Sequence, residues 1–161
     1  MQRTLISETV KKIGEEVIVK GWVNSVRKHG KITFFDIRDR TGLLQVVTDK
    51  SVDIKPEYVL SVTGKVTARP EKLINAKIIT GNVEMQTTDI EILAVSKEMP
   101  FPLDTDGSEI GEEIRLKYRY LDLRRTRMQE NIRLRSEYIR AIREYLFEQS
   151  FVEIETPLLT K

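Results

Sequence analysis

The sequence predicts a mainly β protein with an α-helical second part: a five-stranded closed barrel, then a linker, then helices leading into one more strand. Three observations carry this. Apolar residues alternate with polar ones through 17–47 and again through 58–68, the period of half-buried strands. Loop and turn residues interrupt that alternation at Arg27-Lys28-His29-Gly30-Lys31 and at Asp39-Arg40-Thr41-Gly42. After a Pro- and Asp-rich stretch at 96–111, the apolar spacing changes to sevens, threes and fours, which is helical.

Taken in order, residues 3–14 place Ser7 ahead of Val10 and Ile13 and close on Gly14, the pattern of a short capped helix or turn that plugs the barrel's end. Val17, Val19 and Val23 form the first strand, in which Gly21 marks a bulge or a close approach of another backbone. The basic loop Arg27-Lys28-His29-Gly30-Lys31 leads to a second strand containing Ile32, Phe34, Phe35 and Ile37, and the turn at 39–42 leads to a third ending at Val47. Residues 49–56 are polar and too few for a helix. Tyr58 to Ala68 alternates cleanly around Gly64 and is the fourth strand. A loop opened by Pro70 follows, and 77–80, 82–86 and 89–95 supply the last strand, interrupted at Gly81.

The segments 112–127 and 128–149 are helical in pattern. In the second, Ile132, Ile139, Ile142 and Leu146 share one face, and Glu130, Arg133, Glu137, Arg140 and Glu144 populate the solvated one. Residues 151–159, FVEIETPLL, read as a short strand. A helix and a strand that are each apolar on one side need another layer, supplied by further chain or by a partner. The expected domains are 1–95, a linker at 96–111, and 112–161.

Composition excludes several chemistries. The chain has 161 residues, 40% hydrophobic and 32% charged, the balance of an ordinary folded protein. It has no cysteine and one histidine, so disulfides and cysteine-based metal sites are excluded, and no metal is expected. No apolar run approaches the roughly 20 residues of a membrane span, and no signal-peptide pattern is present; a cytoplasmic protein without a membrane partner is expected. The formal charge of +2 is too small to indicate nucleic-acid binding, which must come from local clustering. Neither G-x-x-x-x-G-K-[ST] nor G-x-G-x-x-G occurs. Asp36 and Asp39 flank Arg38 and Arg40, an arrangement suited to fixing a turn rather than to acid–base catalysis, and no catalytic residue is assigned.

A binding face is better supported. A five-stranded Greek-key barrel of the oligonucleotide-binding (OB) type stacks splayed bases on aromatic side chains of its outer face. Strict alternation cannot bury both Phe34 and Phe35, so one of them stands outside. Arg27, Lys28 and Lys31 can neutralise phosphates beside the ring of Phe34, while Gln45 offers an amide to a base edge.

RLKYRYLDLRR at 115–125, MQENIRLRS at 128–136 and FVEIETPLLTK at 151–161 closely resemble bacterial-type aspartyl-tRNA synthetases, and the resemblance extends over the whole chain. It implies an OB-fold anticodon-binding domain followed by the first helices and the motif 1 strand of a class II catalytic domain. Phe34 then matches the aromatic residue that stacks on the anticodon, Gln45 the glutamine that reads neighbouring bases, and Arg27 a basic contact; Lys28, His29, Lys31 and Glu84 complete the candidate set. Ser25, Val26 and Lys28 depart from the NRRRD form common in bacterial members. Histidine at the position of His29 accompanies family enzymes that also charge asparagine tRNA, while Lys72 leans towards strict ones.

Phe151, Ile154 and Pro157 fall in motif 1, which implies a homodimer interface in the complete enzyme. ATP and magnesium serve the complete enzyme, which joins aspartate to its tRNA. Motifs 2 and 3 are expected beyond Lys161, so the chain alone is expected to need no cofactor and to be inactive in that ligation. The partners implied are aspartate tRNA, with asparagine tRNA as the extension suggested by His29. Two other readings remain open: a free-standing RNA- or single-strand-binding OB protein with a helical assembly tail, and a structural dimerisation fragment.

Overall fold

The computed structural model describes residues 2–156. Contacts divide the chain into two compact units, 1–98 and 99–161. In the first, β1 (Glu16–His29), β2 (Ile32–Asp39), β3 (Gly42–Thr48), β4 (Val59–Ala68) and β5 (Val83–Ala94) close a barrel in the order β1-β2-β3-β5-β4, with β4 returning to β1. All neighbours are antiparallel except β3 and β5, which run parallel and pair through Val46↔Met85 and Val47↔Gln86. The alternation seen in the sequence becomes the inside of this barrel: Val17, Val19, Val23, Phe35, Ile37, Leu44, Val46, Leu60, Val62, Val66, Val83 and Met85 form one buried core.

Strong curvature requires strands without side chains where backbones cross closely, and two glycines meet that need. A Cβ on Gly21 would strike the carbonyl of Arg38, and one on Gly64 the carbonyl of Gln86. Both strands also shift register, β1 between Val23 and Ser25 and β4 between Thr63 and Gly64.

The amino-terminal plug is a short helix, as one of the two expected forms has it, but without the cap at Ser7. It is a 3-10 helix, Ile6–Lys11, with Ser7 inside it rather than at its cap. Its first amides are satisfied from another element: Ile6 N–H donates to Asp39 Oδ2 at 3.1 Å and Ser7 N–H to Thr41 Oγ1 at 3.0 Å. A side-chain cap is therefore unnecessary. Ile6 is fully buried in the barrel core, and the chain turns away at Gly14, φ 90°. Asp39 holds its own turn as well, accepting from Thr41 N–H at 2.7 Å and Thr41 Oγ1 at 2.6 Å.

Two further expectations in this unit are corrected. Arg27, Lys28 and His29 lie in β1, not in a loop; the hairpin turn is only Gly30-Lys31, with Gly30 at φ 62°. The last strand is uninterrupted and excludes 77–80, because Asn75 and Gly81 close a turn on themselves through Asn75 N–H to Gly81 O (3.1 Å) and Lys77 N–H to Asn75 Oδ1 (3.1 Å).

The second unit opens with irregular chain, followed by α1 (Glu112–Lys117), α2 (Arg119–Asp122) and α3 (Thr126–Glu148). The single helix expected over 112–127 is broken at Tyr118, whose φ of −109° and ψ of 42° are not helical. The break lets three arginines converge on one carboxylate. Asp122, fully buried, accepts from Arg115 Nε and Nη2 at 3.1 Å each, Arg119 Nη1 at 3.0 Å and Arg125 Nε at 3.0 Å. The bonds from Arg115, and after them those from Arg125, hold its carboxyl below the usual carboxylate range despite burial. Arg125, also fully buried, donates to Thr105 O at 2.7 Å and lies over the ring of Phe101, which ties 101–105 to the turn after α2.

The apolar stripe of α3 is present but uncovered: Ile132, Ile142 and Leu146 are exposed, and Phe151, Val152 and Ile154 beyond it likewise. The strand expected at 151–159 does not form over 151–156, since β structure needs a neighbouring strand to pair with and, among the described residues, none pairs with this segment. Pro157 and the rest of that expectation lie outside the described residues. Among the described residues, no helix is long and apolar enough to cross a membrane.

Candidate nucleic-acid interface

The outer face of β1, β2, β3 and β5 carries the candidate residues, and a backbone irregularity in β1 decides which of them join it. Val17, Val19, Gly21 and Val23 face inward in strict alternation, which continued unbroken would turn Ser25 and Arg27 inward too. The register shift between Val23 and Ser25 reverses the phase. Val26 then packs against the core, and Ser25, Arg27 and His29 stand on the outside.

Phe35 is fully buried and Phe34 half-buried, so the outward ring expected from the sequence is Phe34. Arg27 pairs with it across β1 and β2, and the imidazole of His29 meets it edge to face at 5.8 Å between ring centres. The ring is buttressed on one edge and has a cation beside it, which suits an aromatic platform for a flat partner.

Next to the ring runs a polar row. Asp36 lies opposite Ser25 on one side and Gln45 on the other. It accepts from Ser25 Oγ at 2.6 Å and from Arg27 Nη2 at 3.1 Å. Gln45 donates through Nε2 to Glu84 Oε2 on β5 at 3.0 Å. The Arg69 guanidinium lies 3.8 Å from the same Glu84 oxygen. At one end, Arg38 donates to Glu57 Oε1 at 2.5 Å and to Asn24 Oδ1 at 3.2 Å.

The structure therefore brings Arg27, His29, Phe34, Gln45 and Glu84 onto one face. It does not bring Lys28 there, because strand alternation puts Lys28 on the opposite side from Arg27 and His29; Lys31 sits in the hairpin turn at the edge. Sequence reasoning missed Ser25, Asp36 and Arg69 as groups that orient the others. Only Val26, an apolar residue out of phase with Val17 to Val23, hinted at the reversal. Among the described residues no three His, Asp or Glu side chains gather to hold a metal ion.

Residues 17–93 match the OB-fold nucleic acid binding domain family, and residues 111–161 match the tRNA synthetases class II (D, K and N) family. The aspartate–tRNA(Asp/Asn) ligase of Streptococcus mutans is 46% identical over 94% of this chain and 27% of the ligase. The aspartate–tRNA ligase of Bacillus licheniformis is 43% identical over 95% of this chain and 27% of its own length. The chain thus spans about a quarter of the length of these curated relatives. Among solved structures, a putative aspartyl-tRNA synthetase from Leishmania major superposes with a TM-score of 0.87 over 97% of this chain and 34% of that one; at 22% identity this speaks for the fold alone. The two family matches together account for most of the chain, in the order barrel then synthetase, and bacterial aspartate–tRNA ligases are its homologues.

Proposed function

We propose that this chain recognises a tRNA anticodon as part of an aspartate–tRNA ligase, with 1–95 as the anticodon-binding domain, 96–111 as the linker and 112–161 as the start of the catalytic domain. The observation that carries the proposal is the half-exposed ring of Phe34, flanked by Arg27 and His29 and bordered by the row Asp36, Gln45 and Glu84. Phe34 stacks a base, Gln45 reads a base edge, and Arg27, His29 and Lys31 meet phosphates at the β1–β2 hairpin, with Glu84 completing the face.

The complete ligase uses ATP and magnesium to activate aspartate. No step through either is assigned to this chain's own residues, whose part is to hold the anticodon. Aspartate tRNA is the substrate proposed, and the S. mutans relative's name, aspartate–tRNA(Asp/Asn) ligase, supports asparagine tRNA as a second one. His29, packed on Phe34, is the residue proposed to govern that breadth. Charging of both tRNAs by the complete ligase with His29 or His29→Leu tests it; identical discrimination removes the idea. The remaining parts of the proposal are a homodimer formed through the motif 1 region, including Phe151, Ile154 and Pro157, and a cytoplasmic location.

The direct experiment titrates the chain, at one fixed salt concentration, with anticodon stem-loops carrying GUC, GUU, and GUC with its middle uridine replaced. Preference for GUC, lost in Phe34→Ala, supports an aspartate anticodon reader, and equal binding of GUU supports the wider specificity. Equal binding of all loops points instead to a general single-strand-binding barrel.

A further inference from the structure

The stretch 96–111 reads as a linker, yet most of it is held in place. On the barrel side, Ser96 Oγ donates to the Pro56 carbonyl at 3.0 Å. On the other side, Phe101 is 6% exposed, with its ring edge-on to Tyr118 at 6.2 Å and the Arg125 guanidinium 5.1 Å from its centre. Arg125 Nη1 also donates to Thr105 O at 2.7 Å and to Thr105 Oγ1 at 2.8 Å. Gly107, at φ 82°, packs against the same guanidinium: a Cβ there would stand 2.9 Å from Arg125 Nε. Asp106 then turns the chain by accepting from Ser108 N–H at 2.9 Å, and Ile110 N–H donates to Gly107 O at 3.2 Å.

One fully buried side chain therefore gathers 101, 105 and 107, and Asp122 aims it by accepting from Arg125 Nε at 3.0 Å. Between Ser96 and Phe101 stand four residues, Lys97 to Pro100, in neither helix nor strand. We infer that Arg125, aimed by Asp122, is a positioning residue: it latches 101–110 to the turn after α2 and so reduces the tether between the anticodon reader and the catalytic domain to four residues, keeping a tRNA held at the barrel within reach of the active site. The inference rests on the ligase function proposed above and adds a residue that serves the reaction without touching RNA, ATP or aspartate. Freed from Arg125, the tether would run from 97 to 110, fourteen residues. The effective concentration of one tethered site at another falls as about the −3/2 power of tether length, so this lengthening corresponds to about a sixfold loss.

The test has two readouts. In the full chain, 15N relaxation should give order parameters of about 0.85 at 101–110 in the wild type, the value of rigid backbone, and below about 0.6 in Arg125→Met. That variant leaves Asp122 paired with Arg115 and Arg119, so the helical signal should persist. Phe101→Ala, which leaves the whole Asp122 cluster intact, should loosen the same segment. In the complete ligase, Arg125→Met should lower kcat/KM for aspartate tRNA about sixfold, while aspartate-dependent ATP–pyrophosphate exchange and stem-loop affinity stay at wild-type values. Inserting about ten Gly/Ser residues between Glu98 and Met99 of the wild type should reproduce that loss.

Order parameters that stay high in both Arg125→Met and Phe101→Ala overturn the latch. A parallel fall in pyrophosphate exchange overturns the positioning role, because it marks Arg125 as a support of the catalytic fold. Charging that is indifferent to both Arg125→Met and the insertion overturns the positioning role and leaves the ligase function standing. A wild-type ligase that charges no aspartate tRNA removes that function, and the positioning role with it, whatever the relaxation data show.

Discussion

Replacing Asp122 by Asn leaves Arg115, Arg119 and the fully buried Arg125 converging on a neutral amide. Breaking a buried pair from one side costs about 3–5 kcal/mol, so Asp122→Asn should strongly lower the melting temperature of the helical signal. The pH dependence has a definite sign. The folded carboxyl titrates below its unfolded value of about 3.9, so its stabilisation is complete above that value and is lost as pH falls through the folded one. Acid melts of the wild type should show this loss and those of Asp122→Asn should not. Phe34 and Phe35 make the opposite point about neighbours. Phe35→Ala opens a hole in the core and should cost about 3–5 kcal/mol of stability. Phe34→Ala should leave the melting temperature almost unchanged and weaken stem-loop binding by about tenfold. That contrast was legible in the sequence, because alternation admits only one of two adjacent rings. The convergence on Asp122 was not, since it depends on the break at Tyr118 in a stretch that reads as one continuous helix.

At the scale of elements, the barrel strands followed from periodicity, and the departures have local causes. The plug is a 3-10 helix because the β2–β3 turn supplies its acceptors, a contact between residues more than thirty apart that no capping rule anticipates. The basic loop became strand because Gly30-Lys31 suffices to turn the hairpin. Half of the candidate site was visible as residue types on strands; its phase was not, since it depends on the bulge after Val23. Gly64 is the element-level test. A methyl group there meets the Gln86 carbonyl and the Met85 side chain, so Gly64→Ala should force β4 and β5 apart and cost about 1–3 kcal/mol, read by denaturant titration.

For the molecule as a whole, the two units differ in how far they satisfy themselves. The barrel buries its apolar face in one core, whereas α3 presents Ile142, Leu146 and Phe147 to solvent. Under the proposed dimer, Ile142→Glu and Phe147→Glu should reduce self-association in sedimentation experiments and leave stem-loop affinity unchanged; equal sedimentation would count against that interface. The barrel's own closure is uneven. β4 and β5 pair along most of their length, but β3 and β5 meet through only two residue pairs. That short join brings together segments far apart in sequence and should therefore be the last to form and the first to open, with amides near Val47 and Met85 exchanging hydrogen fastest among those of the barrel strands. Gln45 and Glu84 sit on its two sides. An RNA loop lying across them would act as a staple, and its binding should slow exchange at the seam more than anywhere else in the barrel.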